Sequence, residues 1–241
     1  MRPTILSLYD FTGTALKPWA ESGYECVAFD IQHSKMDRLE HYDGGGSIRY
    51  MNADLHNQSV LDSIVSSWKN KAVHMVLNFP VCTDLACSGA PRFAAKRAKN
   101  PSFQRIAADH CIAAAGVGQK LGCRWMLENP VSVLSTLWSH KKAFCFHPFE
   151  FGGWIAEDQA EHPTWPEYIA PKDAYSKKTC IWASNDFVRP EKREVTCESF
   201  GHSRQHSRLG GTSTKTKNIR SASPRGFFNA VFAANKLETI T

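Results

Sequence analysis

A cysteine placed just beyond a strand-like run is the most reactive-looking feature of this sequence. Cys82 follows Asn78-Phe79-Pro80-Val81, and later in the chain a second such run ends in Glu128-Asn129-Pro130. A thiolate can add to an electron-poor carbon and leave again. Three acids complete the set: Asp10 in Asp10-Phe11-Thr12-Gly13, Asp30 before Ile31, and Asp54 before Leu55. Singly, an aspartate after a strand usually caps a helix or closes a turn. Polar residues at five successive strand tips point instead to one ligand site, because open parallel sheets bind ligands at the carboxyl ends of their strands. Gly13 lies outside any G-x-G-x-x-G run, so the expected cofactor is a nucleoside without a pyrophosphate. Asp30 would then hold ribose hydroxyls and Asp54 an adenine amino group, with Phe11 or Phe79 lining the pocket. Cys87 is the competing thiol, but it lacks the strand-tip position.

The elements that must carry these residues are legible in the first half. Strands are predicted near Thr4–Asp10, Glu25–Ile31, Ser47–Asn52, Ala72–Asn78 and Arg124–Glu128, from short β-rich runs. Helices are predicted over Thr14–Ser22, His56–Trp68 and about Ser102–Leu121, the last from the near-helical apolar spacing of Ile106, Ile112, Ala113, Val117 and Leu121. Strands alternating with helices predict an α/β fold with a doubly wound, mostly parallel sheet. From about Ala143 prolines and aromatics become dense, which marks irregular structure. Residues 198–218, rich in Ser, Gly, Thr, His and Lys, read as a mobile loop, and Pro224–Leu237 as a last helix. The expected organisation is a catalytic region 1–142, a reduced, loop-rich recognition region 143–218, and a C-terminal helix, 219–241, packing back on the catalytic region.

With 241 residues, 42% of them hydrophobic, the chain can bury one sizeable core. It has no unbroken apolar run of about 18 residues, and its N-terminus enters a strand with no leader pattern, so a cytoplasmic protein without a membrane span is expected. The eight cysteines form no Cys-x-x-Cys pair and no zinc-type spacing, so no metal is expected and most should be buried thiols. A net charge of +6 is modest, but its distribution is uneven. Lys96, Arg97 and Lys99 follow Cys82, and Arg204, Arg208, Lys215, Lys217, Arg220 and Arg225 crowd the tail. Either group could be a solvated face or a phosphate-contacting one.

Taken jointly, the motifs resemble those of the DNA cytosine-5 methyltransferases. Ser7 to Gly13, with Glu21 to Asp30, looks like that family's first cofactor motif and the strand after it. Asn78-Phe79-Pro80-Val81-Cys82, with Gly89 beyond it, resembles the nucleophile loop, and Leu127-Glu128-Asn129-Pro130 the Glu-Asn motif. The segments 128–135, 177–182 and 220–224 are similar to compact, phage-type relatives. Val81 stands where a second proline is usual, Thr83 for a glutamine, and Ala15 for a second glycine of the cofactor turn. The arginine-rich motif has no clear counterpart, although Arg204 or Arg208 could stand in.

The resemblance implies S-adenosyl-L-methionine as cofactor, held by residues 10–13, Asp30, Ile31, Asp54, Leu55, Asn78 and Phe79. It implies Cys82 as covalent nucleophile, with Pro80, Glu128 and Asn129 completing the site and Glu128 holding the cytosine edge. DNA would be the substrate, single-stranded or with the base flipped out, and Lys96, Arg97, Arg204, Arg208 and Arg220 would hold phosphates. The short recognition region implies relaxed sequence preference or a protein partner. A free cytidine nucleotide or RNA substrate, an inactive nucleic-acid-binding homologue, and amino-group methylation are the competing expectations.

Overall fold

The computed structural model describes residues 2–201, 203–211 and 213–238. The chain divides into two compact units: residues 1–145 with 179–187, and 146–178 with 188–241. The architecture is α/β, with a mostly parallel, mixed eight-stranded sheet compatible with a Rossmann-like fold.

The strands are β1 (Thr4–Leu8), β2 (Glu25–Asp30), β3 (Arg38–His41), β4 (Ser47–Asn52), β5 (Val73–Asn78), β6 (Arg124–Pro130), β7 (Phe144–Phe146) and β8 (Thr179–Ala183). Their order is β3-β4-β2-β1-β5-β6-β8-β7. β1 is buried along its whole length, its polar Thr4 and Ser7 included, as a strand in the middle of a parallel sheet should be. β4, β2, β1, β5 and β6 are mutually parallel, while β3 and β8 each run antiparallel to their neighbours β4 and β6. All five strands read from the sequence are present, each within two residues at either end.

The crossovers are α1 (Lys17–Glu21), entered through a 3-10 turn at Thr14–Leu16, α2 (Gln58–Trp68), α3 (Phe93–Lys99) and α4 (Phe103–Leu121). Asn57 caps α2 by accepting the Ser59 N–H at 3.0 Å. α4 buries Ala108, Cys111, Ala114, Ala115 and Val117, small residues that let the helix lie close against the sheet. A further short helix, α5 (Leu134–Leu137), follows β6. Cys145 and Cys180 are paired as a disulfide, so two of the eight cysteines are not the free thiols expected.

In the second half the outline differs from expectation. β8 lies in the stretch read as a recognition loop, yet it is fully buried and belongs to the sheet. Residues 198–218 carry two short helices, α6 (Arg204–Ser207) and α7 (Thr214–Arg220). The last helix, α8 (Arg225–Asn235), packs inside the second unit: Phe227 stacks on Phe146 with ring centroids 3.9 Å apart and meets Phe151 edge-on. Gly226 permits that approach, since a Cβ there would lie 2.2 Å from the Phe151 carbonyl oxygen. Asp173 and Arg225 anchor the unit. The carboxylate accepts the Arg225 backbone N–H and its Nε and Nη2 groups, and the guanidinium also donates to the carbonyls of Gln159, Ala160 and Glu161.

Candidate active site

β5 and β6 are adjacent and parallel, in register from Met75↔Arg124 to Asn78↔Leu127, so their carboxyl ends emerge side by side. The loop carrying Cys82 leaves β5 and is laced to the segment that leaves β6. Cys87 N–H donates to the Val131 carbonyl and Val133 N–H to the Leu85 carbonyl, both at 3.0 Å, with an antiparallel bridge between Ala86 and Ser132. The N–H groups of Leu85 and Ala86 fold back onto the Cys82 carbonyl, closing the turn on the cysteine. Main-chain bonds of this kind hold the loop that carries Cys82 against the segment that follows Glu128-Asn129-Pro130, whatever their side chains do.

Cys82 is partly exposed, and Cys87 is exposed on the same loop. The thiol of Cys111 lies beneath on α4, and burial, with Cys82 as the next cause, pushes it up to about 12. It is therefore an inert core residue. Pro80 is buried, whereas Val81 is half exposed.

Asn129 is the anomaly of this tip. It is wholly buried, and neither its amide oxygen nor its nitrogen has a partner within the chain. Buried polar atoms are nearly always paired, so an orphaned amide beside a carboxylate and a thiol belongs to a site completed by something else. Asn78 is different: its Nδ2 donates across to the Met126 carbonyl at 2.8 Å, clamping β5 to β6, and only its Oδ1 is left over.

The acidic tips divide the same way. Asp10 is buried, its Oδ2 accepting the Ser7 hydroxyl at 2.7 Å and its Oδ1 the Gly13 N–H at 2.8 Å. It thus builds the turn. Burial holds its carboxyl above the usual range, against the Ser7 and Gly13 hydrogen bonds that pull it down. The turn needs glycine at position 13, where φ is +69° and a Cβ would lie 2.6 Å from the Tyr50 hydroxyl. Tyr9 also sits at positive φ, 60°, with its hydroxyl donating to the Leu55 carbonyl. A strained aromatic at a strand tip is the kind of feature that persists at ligand sites.

Asp30 has one oxygen on the Gln32 N–H at 2.8 Å. Asp54 is exposed and accepts the His56 N–H, and Leu55 beside it is buried. Phe11 is 38% and Ile31 62% exposed, and each follows one of the acids. Phe79 is partly buried and Thr12 accepts the Thr14 N–H. Carboxylates beside uncovered apolar surface suit a ligand with a flat base and a hydroxylated sugar, so these residues fit a nucleoside cofactor. Among the described residues, no cluster of three or more His, Cys, Asp or Glu side chains could hold a metal ion.

The basic residues are more committed than their spacing suggests. Lys96 is ion-paired with Asp84 on the Cys82 loop, and Arg97 reaches Gln104 at 3.2 Å. In the second unit Arg204 grips Glu198 and the Pro166 carbonyl, Arg208 the Glu167 carbonyl, and Arg220 the Leu209 carbonyl. The sequence offered no sign of these partners, which are mostly main-chain carbonyls brought near by irregular structure.

No protein-family model matches the chain, and no curated protein matches it. Among solved structures, an NADH-dependent reductase crystallised with NAD matches at TM-score 0.28 and 14% identity, over 49% of this chain and 55% of the reductase. The likeness spans about half of either protein. No described helix is long and apolar enough to cross a membrane.

Proposed function

We propose that the chain is an S-adenosylmethionine-dependent methyltransferase acting on carbon 5 of cytosine in DNA, with Cys82 as its covalent nucleophile. The observation that carries this reading is the main-chain lacing of the Cys82 loop to the segment after Glu128-Asn129-Pro130. It holds a thiol, a carboxylate and an unpartnered buried amide at two neighbouring strand tips, next to the acidic, apolar-lined tips of β1 and β2. The sheet order adds support. A dinucleotide-binding sheet continues its second half with a third parallel strand, whereas here antiparallel β8 takes that place.

The cofactor would supply an electrophilic methyl group on a sulfonium. Asp30 would accept from the ribose hydroxyls, Asp54 from the adenine amino group, and Phe11 and Ile31 would cover the base. The Cys82 thiolate adds to carbon 6 of the cytosine, which turns carbon 5 into an enamine-like nucleophile. Glu128 and Asn129 hold the ring nitrogen and exocyclic amine, stabilising the charge displaced onto that edge. After carbon 5 takes the methyl group it loses its proton, the carbon–sulfur bond breaks, and Cys82 is regenerated. Arg97 and Lys99 on α3 are the phosphate contacts nearest in sequence to this loop.

The test is mechanistic. DNA containing 5-fluorocytosine lacks the departing proton, so with cofactor present it should trap the wild type and Cys87→Ser as adducts on Cys82, and Cys82→Ser not at all. Cys82→Ser should lower methyl transfer from tritiated cofactor by several orders of magnitude without loss of fold. An adduct on Cys87, or full activity without Cys82, overturns the proposal.

A further inference from the structure

Away from the strand tips, residues 135–142 line an open recess of about 730 Å³. Trp138 and His140 form one wall, their rings 5.1 Å apart and tilted by 28°. Behind them the array continues to Trp182, nearly parallel to Trp138 at 6.4 Å, and to Trp125 at 6.2 Å. The wall is fixed rather than loose. His140 Nε2 lies 2.9 Å from the Ala183 carbonyl on β8, and the Arg105 guanidinium donates to the Leu137 carbonyl. Trp182 is wholly buried, with an indole N–H that finds no acceptor in the chain.

Basic side chains line the same recess. Lys141 and Lys142 line the recess, are exposed, and take part in no ion pair among the described residues. Residues 135–142 contain no acid, and Ser135, Thr136 and Ser139 add exposed hydroxyls. Two unpaired cations beside a rigid aromatic wall are complementary to a ligand that is flat at one end and anionic at the other. Successive bases of an unpaired strand stack on aromatic side chains in this way, while lysines follow the phosphates. A duplex, whose base faces are already stacked, gains nothing from such a wall.

We propose that this recess binds an unpaired nucleotide of single-stranded nucleic acid, with its base against Trp138 and His140 and its phosphate on Lys141 and Lys142. Trp125, at the floor of the array, precedes Glu128 by three residues, roughly 10 Å along β6. The site is therefore separate from the thiol-bearing tip and independent of any cytosine chemistry there.

The experiment uses a fluorescein-labelled oligothymidylate of eight nucleotides, which contains no cytosine, and follows anisotropy with the full chain. Wild type should bind and its tryptophan fluorescence should be quenched. Trp138→Leu should weaken binding about 5- to 150-fold, the range for loss of one stacked base. Lys141→Gln/Lys142→Gln, at exposed positions that leave the fold untouched, should weaken it and flatten the slope of log affinity against log salt by about 1.4. An abasic oligomer with the same phosphates should be insensitive to Trp138→Leu, and thymidine monophosphate should compete only weakly. Unchanged affinity in the double lysine variant, equal binding of the abasic oligomer, or full competition by the mononucleotide would each overturn the assignment.

Discussion

The strand tips around Asn129 and the second unit around Arg225 are both built from polar residues in a protein interior, yet they handle those residues in opposite ways. Arg225 directs its side chain to one carboxylate and three carbonyls, and Asp173 receives both main-chain and side-chain donors. Asn129, equally hidden, has partners for neither amide atom. The first arrangement is complete without a ligand; the second is not. Between these two clusters, hydrogen-bond satisfaction separates the one that holds shape from the one expected to hold a substrate.

Arg225→Met breaks the complete side of the comparison and carries the largest expected effect. It leaves Asp173 buried without its cation, which should cost about 3–5 kcal/mol and selectively loosen the second unit. Hydrogen exchange should show protection lost over residues 146–178 and 188–238. Loss spread evenly over both units, or no loss, would contradict the role given to this pair.

Asn129→Leu probes the incomplete side. An orphaned amide buried in the native state costs roughly 1–3 kcal/mol, so a leucine, which has the same branched shape and number of side-chain heavy atoms, should leave the urea midpoint unchanged or raised. Methyl transfer should nevertheless collapse. Stability bought at the expense of activity is the signature of a functional residue. If Asn129→Leu instead destabilises the fold as strongly as Arg225→Met, the amide is structural and the contrast fails.

How much of this was legible in the sequence follows from the same physics. β1, β2, β5 and β6 are mostly apolar runs, and β4 alternates with Ile48 and Tyr50 buried and Arg49 exposed, so these five strands and the residues at their tips could be read directly. β3 could not. Its residues Arg38-Leu39-Glu40-His41 are largely exposed, and the clue was the hairpin turn Asp43-Gly44-Gly45-Gly46 that follows. β8 was hidden because Thr179–Ala183 sits among loops, and its burial depends on pairing with β6 far back in the chain. The change of composition near Ala143 marked where the second unit begins, but its interruption by residues 179–187 left no such mark. The tail arginines read as a phosphate surface because many of their acceptors are carbonyls, which no residue letter reports, and the carboxylates of Glu198 and Asp173 reach Arg204 and Arg225 only in the fold.

Asp30→Ala acts on a tip intermediate between the two regions, since one carboxylate oxygen is engaged by Gln32. Removing the other from the ribose edge should weaken S-adenosylmethionine about 5- to 150-fold, equivalent to roughly 1–3 kcal/mol. Calorimetry giving the same affinity for Asp30→Ala and Asp54→Ala as for wild type would remove the cofactor from these tips.

The smallest effect is expected at Asp10, the acid that the turn does satisfy. Burial raises its folded-state pKa above the value of about 3.9 for a free aspartate, with the Ser7 and Gly13 hydrogen bonds only partly opposing it. The folded chain therefore holds this proton more tightly than the unfolded chain does. Its favourable contribution is fully present below about pH 3.9 and is lost as pH rises through the folded pKa. Asp10→Asn keeps an oxygen for the Gly13 N–H and carries no charge to desolvate. Wild-type stability minus that of Asp10→Asn, measured by urea unfolding at a series of pH values, should fall from about pH 4 upward and then level off. Cofactor affinity should change little, because both carboxylate oxygens already serve the turn. A difference that rises with pH would mean that the ionised carboxylate is stabilised in place, and that Asp10 is more than the clasp of its turn.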